Sequence, residues 1–180
     1  NFSGFTAGLG YGFDEQTTGK AGRYIGGYVA YDNGPLSAAL SYDERNVAAN
    51  FDRNTLTLAG SYNLNVVKLN AIVQQTKDDV IGTDSKVHAY ALGASAPVGA
   101  GEVKLQYAMY DQKAIDSKAH QISLGYVHNL SKRTAVYGTV AYMDNKDASK
   151  LNLSAKGLGT IDARAGDSQT GVQVGIRHSF

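Results

Sequence analysis

Four histidines, His88, His120, His128 and His178, are the residues best suited to metal or proton chemistry in this chain. Their spacing does not serve a metal. His120 and His128 share one phase of an extended run, but eight residues separate them, about 26 Å at ~3.3 Å per residue. No close-spaced ligand motif links any other pair. Cysteine is absent, which excludes thiolate sites and disulfides, so neither a metal nor another cofactor is expected. Asp78 and Asp79 could offer hard carboxylate oxygens to a divalent cation, and a solvated charged loop explains the same two residues. An acid/base pair could be drawn from His88 with Asp84 or from His120 with Asp116, if these met at the rim of a barrel. That match is loose, and no Gly-x-Ser-x-Gly elbow is present. No catalytic residue is assigned, and the chain is read as not an enzyme.

Charge points away from other partners as well. Among 180 residues, 17 are basic and 16 acidic, a net charge of +1 that offers no bulk field for nucleic acid. The composition instead carries 12 Tyr and 21 Gly with only two Pro, which suits strands and tight turns. No apolar run reaches the ~18 residues that a transmembrane helix needs. The opening residues show neither a charged start nor an apolar signal region.

What must position any functional residue is therefore a set of strands. Alternating runs are expected at residues 2–13, 23–32, 36–45, 54–64, 66–76, 86–96, 102–112, 118–129, 133–144 and 168–180. Side chains of a strand point alternately to its two faces, so Leu56, Leu58, Tyr62 and Leu64 oppose Thr55, Thr57, Ser61 and Asn63. In the last run Val172, Val174, Ile176, His178 and Phe180 oppose Gln173 and Arg177. The phase of 23–32 and of 133–144 is ambiguous, because both faces carry apolar residues. Tight connections (32–35, 63–66, 97–101 and 129–133) take turns with longer polar ones (14–22, 46–52, 77–85, 113–117 and 145–167). In a meander this puts all short turns at one end and all long loops at the other, as in outer-membrane barrels. The expected fold is all-β, an antiparallel up-and-down transmembrane barrel domain over residues 1–180. Long strands and tyrosines near strand ends (Tyr11, Tyr31, Tyr42, Tyr62, Tyr90, Tyr110, Tyr142) favour it over a soluble ligand-binding barrel.

That geometry gives the charged strand residues a role. Arg45, Lys68, Lys104 and Arg177, with Asp43 and Gln173, fall on the faces assigned to the lumen and are the candidate pore-lining residues. Basic rings favour anions, so a mild anion preference is expected. The inner positions of other strands are small: Gly4, Thr6, Gly8, Gly10 and Gly12, then Ala89, Ala91, Gly93 and Ser95. They suit a wide aqueous pore and would leave a narrow ten-stranded barrel under-filled.

The stretches "GIRHSF", "YDNGPLSAALSY", "NLSKRTAVYG" and "NFSGFTAGLGYG" resemble the Gram-negative general porin family, in its β-proteobacterial branch. The resemblance runs along essentially the whole chain and matches the last ten of that family's sixteen strands. It implies an outer-membrane, homotrimeric diffusion channel for ions and small hydrophilic solutes, narrowed by a third loop that precedes residue 1. A C-terminal fragment, one piece of a divided porin and a closed ten-stranded barrel all remain open, the last including a protease-like barrel enzyme. The resemblance also implies that the C-terminal aromatic and its alternating neighbours, Phe180, His178 and Ile176, are read by the barrel-assembly machinery.

Overall fold

The computed structural model describes residues 3–13, 22–48, 50–80, 83–153 and 164–180. Ten strands run in chain order: β1 (Phe5–Gly12), β2 (Tyr24–Asn33), β3 (Leu36–Ala48), β4 (Phe51–Asn63), β5 (Lys68–Val80), β6 (Thr83–Val98), β7 (Gly101–Gln112), β8 (Ser117–Asn129), β9 (Thr134–Asp147) and β10 (Ser168–His178). They form one antiparallel meander in which each strand pairs only with its sequence neighbours. Among the described residues β1 and β10 do not pair with each other, so the ten strands do not close on themselves.

Register carries the period-two pattern across the whole sheet and settles the ambiguous strands. Gly10 faces Gly26, Gly26 faces Asp43, and Asp43 faces Thr55, which puts the even residues of β2 on the same side as the odd ones of β3 and β4. Likewise Lys104 faces Gly125, Gly125 faces Thr139 and Thr139 faces Gln173, which assigns the odd residues of β8, β9 and β10 to that side. This side is polar or small. The opposite side is apolar and open: Leu9, Leu92, Val172, Val174 and Ile176 each expose more than 60% of their surface. The buried apolar residues among those described, Ala108, Ala119, Ala135 and Met143, all lie on the polar side. Such inside-out burial is what a lipid-facing sheet requires.

Aromatic residues bound the apolar side at two levels. Tyr11, Tyr42, Tyr90, Tyr107 and Tyr142 stand toward the ends with the longer connections, and Phe5, Tyr31, Tyr62 and Tyr126 toward the tight turns. Tyr110 is the exception to the expected girdle. Its register with Ala89 and Ala119 puts it on the polar face. The hydrogen-bonded row Tyr142, Ile122, Tyr107, Leu92, Ala71, Gly60, Ala38, Tyr31 starts at the outer girdle and ends at the inner one. Rows of partners thus run oblique to the girdles, as they must where strands tilt within a barrel wall.

Strand bounds differ from the sequence reading at the polar ends. The segments 46–52 and 77–85, expected as long loops, are largely strand, with register running from Arg45–Arg53 through Arg53–Asp78 to Asp78–Ser85. Polarity there marks water beyond the apolar band, and a hairpin can pair its backbone in water as well as in lipid. The short/long alternation of connections therefore fails at β3–β4 and β5–β6. The expected loop 14–22 lies almost wholly outside the described residues, as does the middle of 145–167. Tight turns at the other end use backbone freedom where it is needed: Gly34 and Gly99 both take positive φ.

Candidate pore wall

The polar face collects its charge at two levels. Near the tight-turn end, Lys68 on β5, Lys104 on β7 and Arg177 on β10 border one cleft of about 600 Å³ with Glu102, Ser95, Ser123 and Thr139. Lys68 and Lys104 share a row through Ser95, which puts them about 10 Å apart at the usual strand spacing. Lys104 is paired with Glu102 at 3.0 Å, whereas Arg177 has no ion-pair partner among the described residues. Near the opposite end, Arg45 lies over the Tyr24 ring at 5.9 Å, and its register partner is Arg53. Between the two levels the face is neutral, with Thr57, Gln74, Ala89, Ala59, Ile72 and Ala91 in register.

All six residues singled out as pore-lining, Asp43, Arg45, Lys68, Lys104, Gln173 and Arg177, fall on this one face. Sequence reasoning missed others. Arg53 and Asp78 form a two-pronged ion pair there, at 2.6 and 2.8 Å. By sequence Arg53 falls between the expected connection 46–52 and the strand expected from 54, so it is assigned to neither. Asp32 and Glu102 also belong to this face. With Arg53 held by Asp78 and Lys104 by Glu102, Arg45, Lys68 and Arg177 remain against Asp32, Asp43 and, at the rim, Asp147 opposite Ser117. Summed over the strands the face is balanced, and the basic excess is confined to the cleft, where Lys68, Lys104 and Arg177 meet Glu102.

The candidate chemistries fare differently. Asp78 and Asp79 point to opposite faces, Asp78 to Arg53 and Asp79 to Lys77, so they cannot share a cation. His88 contacts Gln75, and His120 takes Tyr107 Oη at 2.7 Å on the apolar side. The Asp84 side chain lies outside the described residues, and Asp116 pairs with Lys118. No group of metal-ligating residues forms among the described residues. At the C-terminus, His178 Nδ1 lies 2.9 Å from Thr134 Oγ1 and stacks edge-on against Phe180, while Ser179 N–H donates to Arg133 O. Ile176 and Phe180 are exposed on the outward side.

One feature of the polar face had no trace in the sequence pattern. Asn145, 1% exposed, donates through Nδ2 to the carbonyls of Leu151 and Asp167, both at 2.9 Å. Its Oδ1 accepts from Ser149 Oγ at 2.7 Å and Leu151 N–H at 3.1 Å. Gln169 continues the network to residues 151–153. Because Asn145 and Gln169 both face the polar side, residues 148–153 fold back over that side as a strap. Consistent with this, a side chain at Gly171 would meet Leu153 at 3.4 Å.

A model of the Gram-negative porin family matches residues 1–148. The chain belongs to the Gram-negative porin family. It is 64% identical to outer membrane porin protein 32 of Delftia acidovorans and 31% identical to an outer membrane porin protein of Bordetella pertussis. Both comparisons cover this whole porin chain and 54% and 55% of the respective relatives, so it spans about half their length. The solved anion-selective porin from Comamonas acidovorans superposes with a TM-score of 0.94 at 62% identity, over 100% of this chain and 57% of the other. OmpT of Vibrio cholerae, at 16% identity and a TM-score of 0.75, shares the fold. The ten strands are thus the wall of a porin β-barrel, an integral part of the outer membrane. The matched relatives are channels rather than enzymes.

Proposed function

We propose that this chain forms ten strands of a water-filled outer-membrane channel through which ions and small hydrophilic solutes diffuse, with a mild preference for anions. The observation that carries this reading is the pairing of faces: polar and small residues run from one rim to the other, behind a continuous apolar surface bounded by aromatic girdles. Arg45, Asp43, Lys68, Lys104, Gln173 and Arg177 line the aqueous side, and the excess of Lys68, Lys104 and Arg177 over Glu102 in the cleft sets the sign of selectivity. The similarity to a porin described as anion-selective supports the same sign. Lipid cannot satisfy the open edges of β1 and β10, so further strands complete the barrel, sixteen in all by the family pattern. A homotrimer, and recognition of Phe180, His178 and Ile176 by the barrel-assembly machinery, follow from the same resemblance.

The reversal potential of the purified channel in a potassium chloride gradient tests the reading. It should favour chloride, and Lys68→Glu with Arg177→Glu should move it toward potassium. Cation preference in the unaltered channel would overturn the selectivity, and absence of any conductance would overturn the channel.

A further inference from the structure

Among the described residues Tyr24, Tyr28, Tyr110 and Tyr137 are the tyrosines of the aqueous face. Each has a glycine or alanine as a cross-strand partner: Gly12 for Tyr24, Gly8 for Tyr28, Ala89 and Ala119 for Tyr110, and Gly175 for Tyr137. Three of the rings fill the space that a small residue leaves. A methyl group added at Gly8 would collide with Tyr28, one at Gly26 with Tyr24, and one at Gly175 with Tyr137. A ring that occupies the space above a neighbouring glycine lies along the sheet and turns its face, not its edge, to the lumen. These three rings differ in what stands beside them. Tyr24 carries the Arg45 guanidinium over its ring at 5.9 Å, so a cation already covers it. Tyr28 has Ser41 as its other cross-strand partner. Tyr137 instead lines the cleft that holds Lys68, Lys104 and Arg177. Because Gly175 is the direct partner of Tyr137, Arg177 is its diagonal neighbour, about 7–8 Å away and within reach of a long side chain. Lys104 is held by Glu102, whereas Arg177 has no ion-pair partner among the described residues.

We infer that Tyr137 and Arg177 form a subsite for aromatic carboxylates on the pore wall. The ring of the solute stacks on Tyr137, and its carboxylate accepts two parallel hydrogen bonds from the Arg177 guanidinium. A carboxylate borne directly on an aromatic ring is coplanar with that ring. A solute lying flat on Tyr137 therefore directs both oxygens along the wall, toward the diagonal position where Arg177 stands. The guanidinium fork suits a carboxylate held in this way better than a lone ammonium does. Offset stacking adds attraction beyond the burial of area, which an aliphatic ring of equal charge does not gain. Lys68 and Lys104 raise the local concentration of anions in the cleft. The inference deepens the channel reading and rests on it for the access of solutes to this face.

The test uses the complete channel carrying this chain, in planar bilayers bathed in potassium chloride. Benzoate and cyclohexanecarboxylate, equal in charge and close in size, are titrated against the chloride current. The concentration that gives half of the full drop in current should be about fivefold lower for benzoate. Tyr137→Leu should cut this preference below about twofold, Tyr137→Phe should keep it, and Tyr28→Leu should leave it unchanged. Arg177→Gln should weaken both solutes, by about threefold or more. Heat-modifiable migration confirms that each variant is folded. A second readout needs no current: in channel labelled with ring-13C tyrosine, the Tyr137 signal is assigned by its loss in Tyr137→Phe. It should shift with benzoate and far less with cyclohexanecarboxylate. Equal half-drop concentrations for the two solutes, or a preference that survives Tyr137→Leu, would overturn the subsite. Conductance with neither preference nor shift would sink this inference alone. The shift without conductance would support it and sink the channel, and absence of both would sink both.

Discussion

Replacing Asn145 by alanine should release the strap from the pore wall while leaving the barrel folded. The side chain makes four hydrogen bonds, three to Ser149 and Leu151 of the strap and one to the Asp167 carbonyl. At about 1 kcal/mol net for each, loss of the three weakens the attachment by about 3 kcal/mol, over a hundredfold in the opening equilibrium. The Gln169 contacts to residues 151–153 survive the substitution, so the observable change should be smaller. At least a tenfold faster amide hydrogen exchange at Leu151 is expected, because its N–H loses its acceptor directly. Single-channel conductance should rise, since residues 148–153 overlie the aqueous face. Exchange at β8 amides should stay slow, because the ladder to β7 and β9 is untouched. Unchanged protection of Leu151, within a factor of two, would refute the view that Asn145 pins this segment.

Two further outcomes follow from the division of the sheet into faces. Leu58→Arg, on the outward side near the middle of β4, should cost about 2–4 kcal/mol of barrel stability in a urea titration, as a cation at the bilayer midplane does. Thr57→Arg, one residue away on the aqueous side, should cost well under half of that and instead alter conductance. Deleting Phe180 should lower the amount of barrel inserted in the outer membrane several-fold, measured by heat-modifiable migration, with the conductance of inserted channels preserved. Normal insertion would count against Phe180 as an assembly signal.

The sequence located every strand because one face of each must meet lipid, and that demand writes a period of two into the chain. It located strand ends poorly where the chain leaves the apolar band. Asp78 and Asp79 look like loop residues and Arg53 falls just short of its strand, yet all three continue the hairpins in water, Arg53 paired with Asp78 across strands and Asp79 with Lys77 along β5. The phase of β2 was hidden because Tyr24 and Tyr28 on the aqueous side are as apolar by type as Ile25 and Val29 on the other. Only register with β1 and β3 separates them. Tyr110 misled for the same reason, since a tyrosine near a strand end serves a girdle or a pore wall equally well. Asn145 could not be read at all. A lone asparagine in a polar run carries no period, and its importance comes from carbonyls and amides up to 22 residues away in sequence.

The central claim is that one face of this sheet meets water and the other meets lipid. The chain has no cysteine, so single cysteines can be introduced one at a time along β8 without background. Labelling intact outer membranes with a charged, water-soluble maleimide reads the faces directly. Cysteines at Gln121, Ser123 and Gly125 should react and those at Ile122 and Leu124 should not. Uniform reactivity along the strand, or the opposite alternation, would contradict the account.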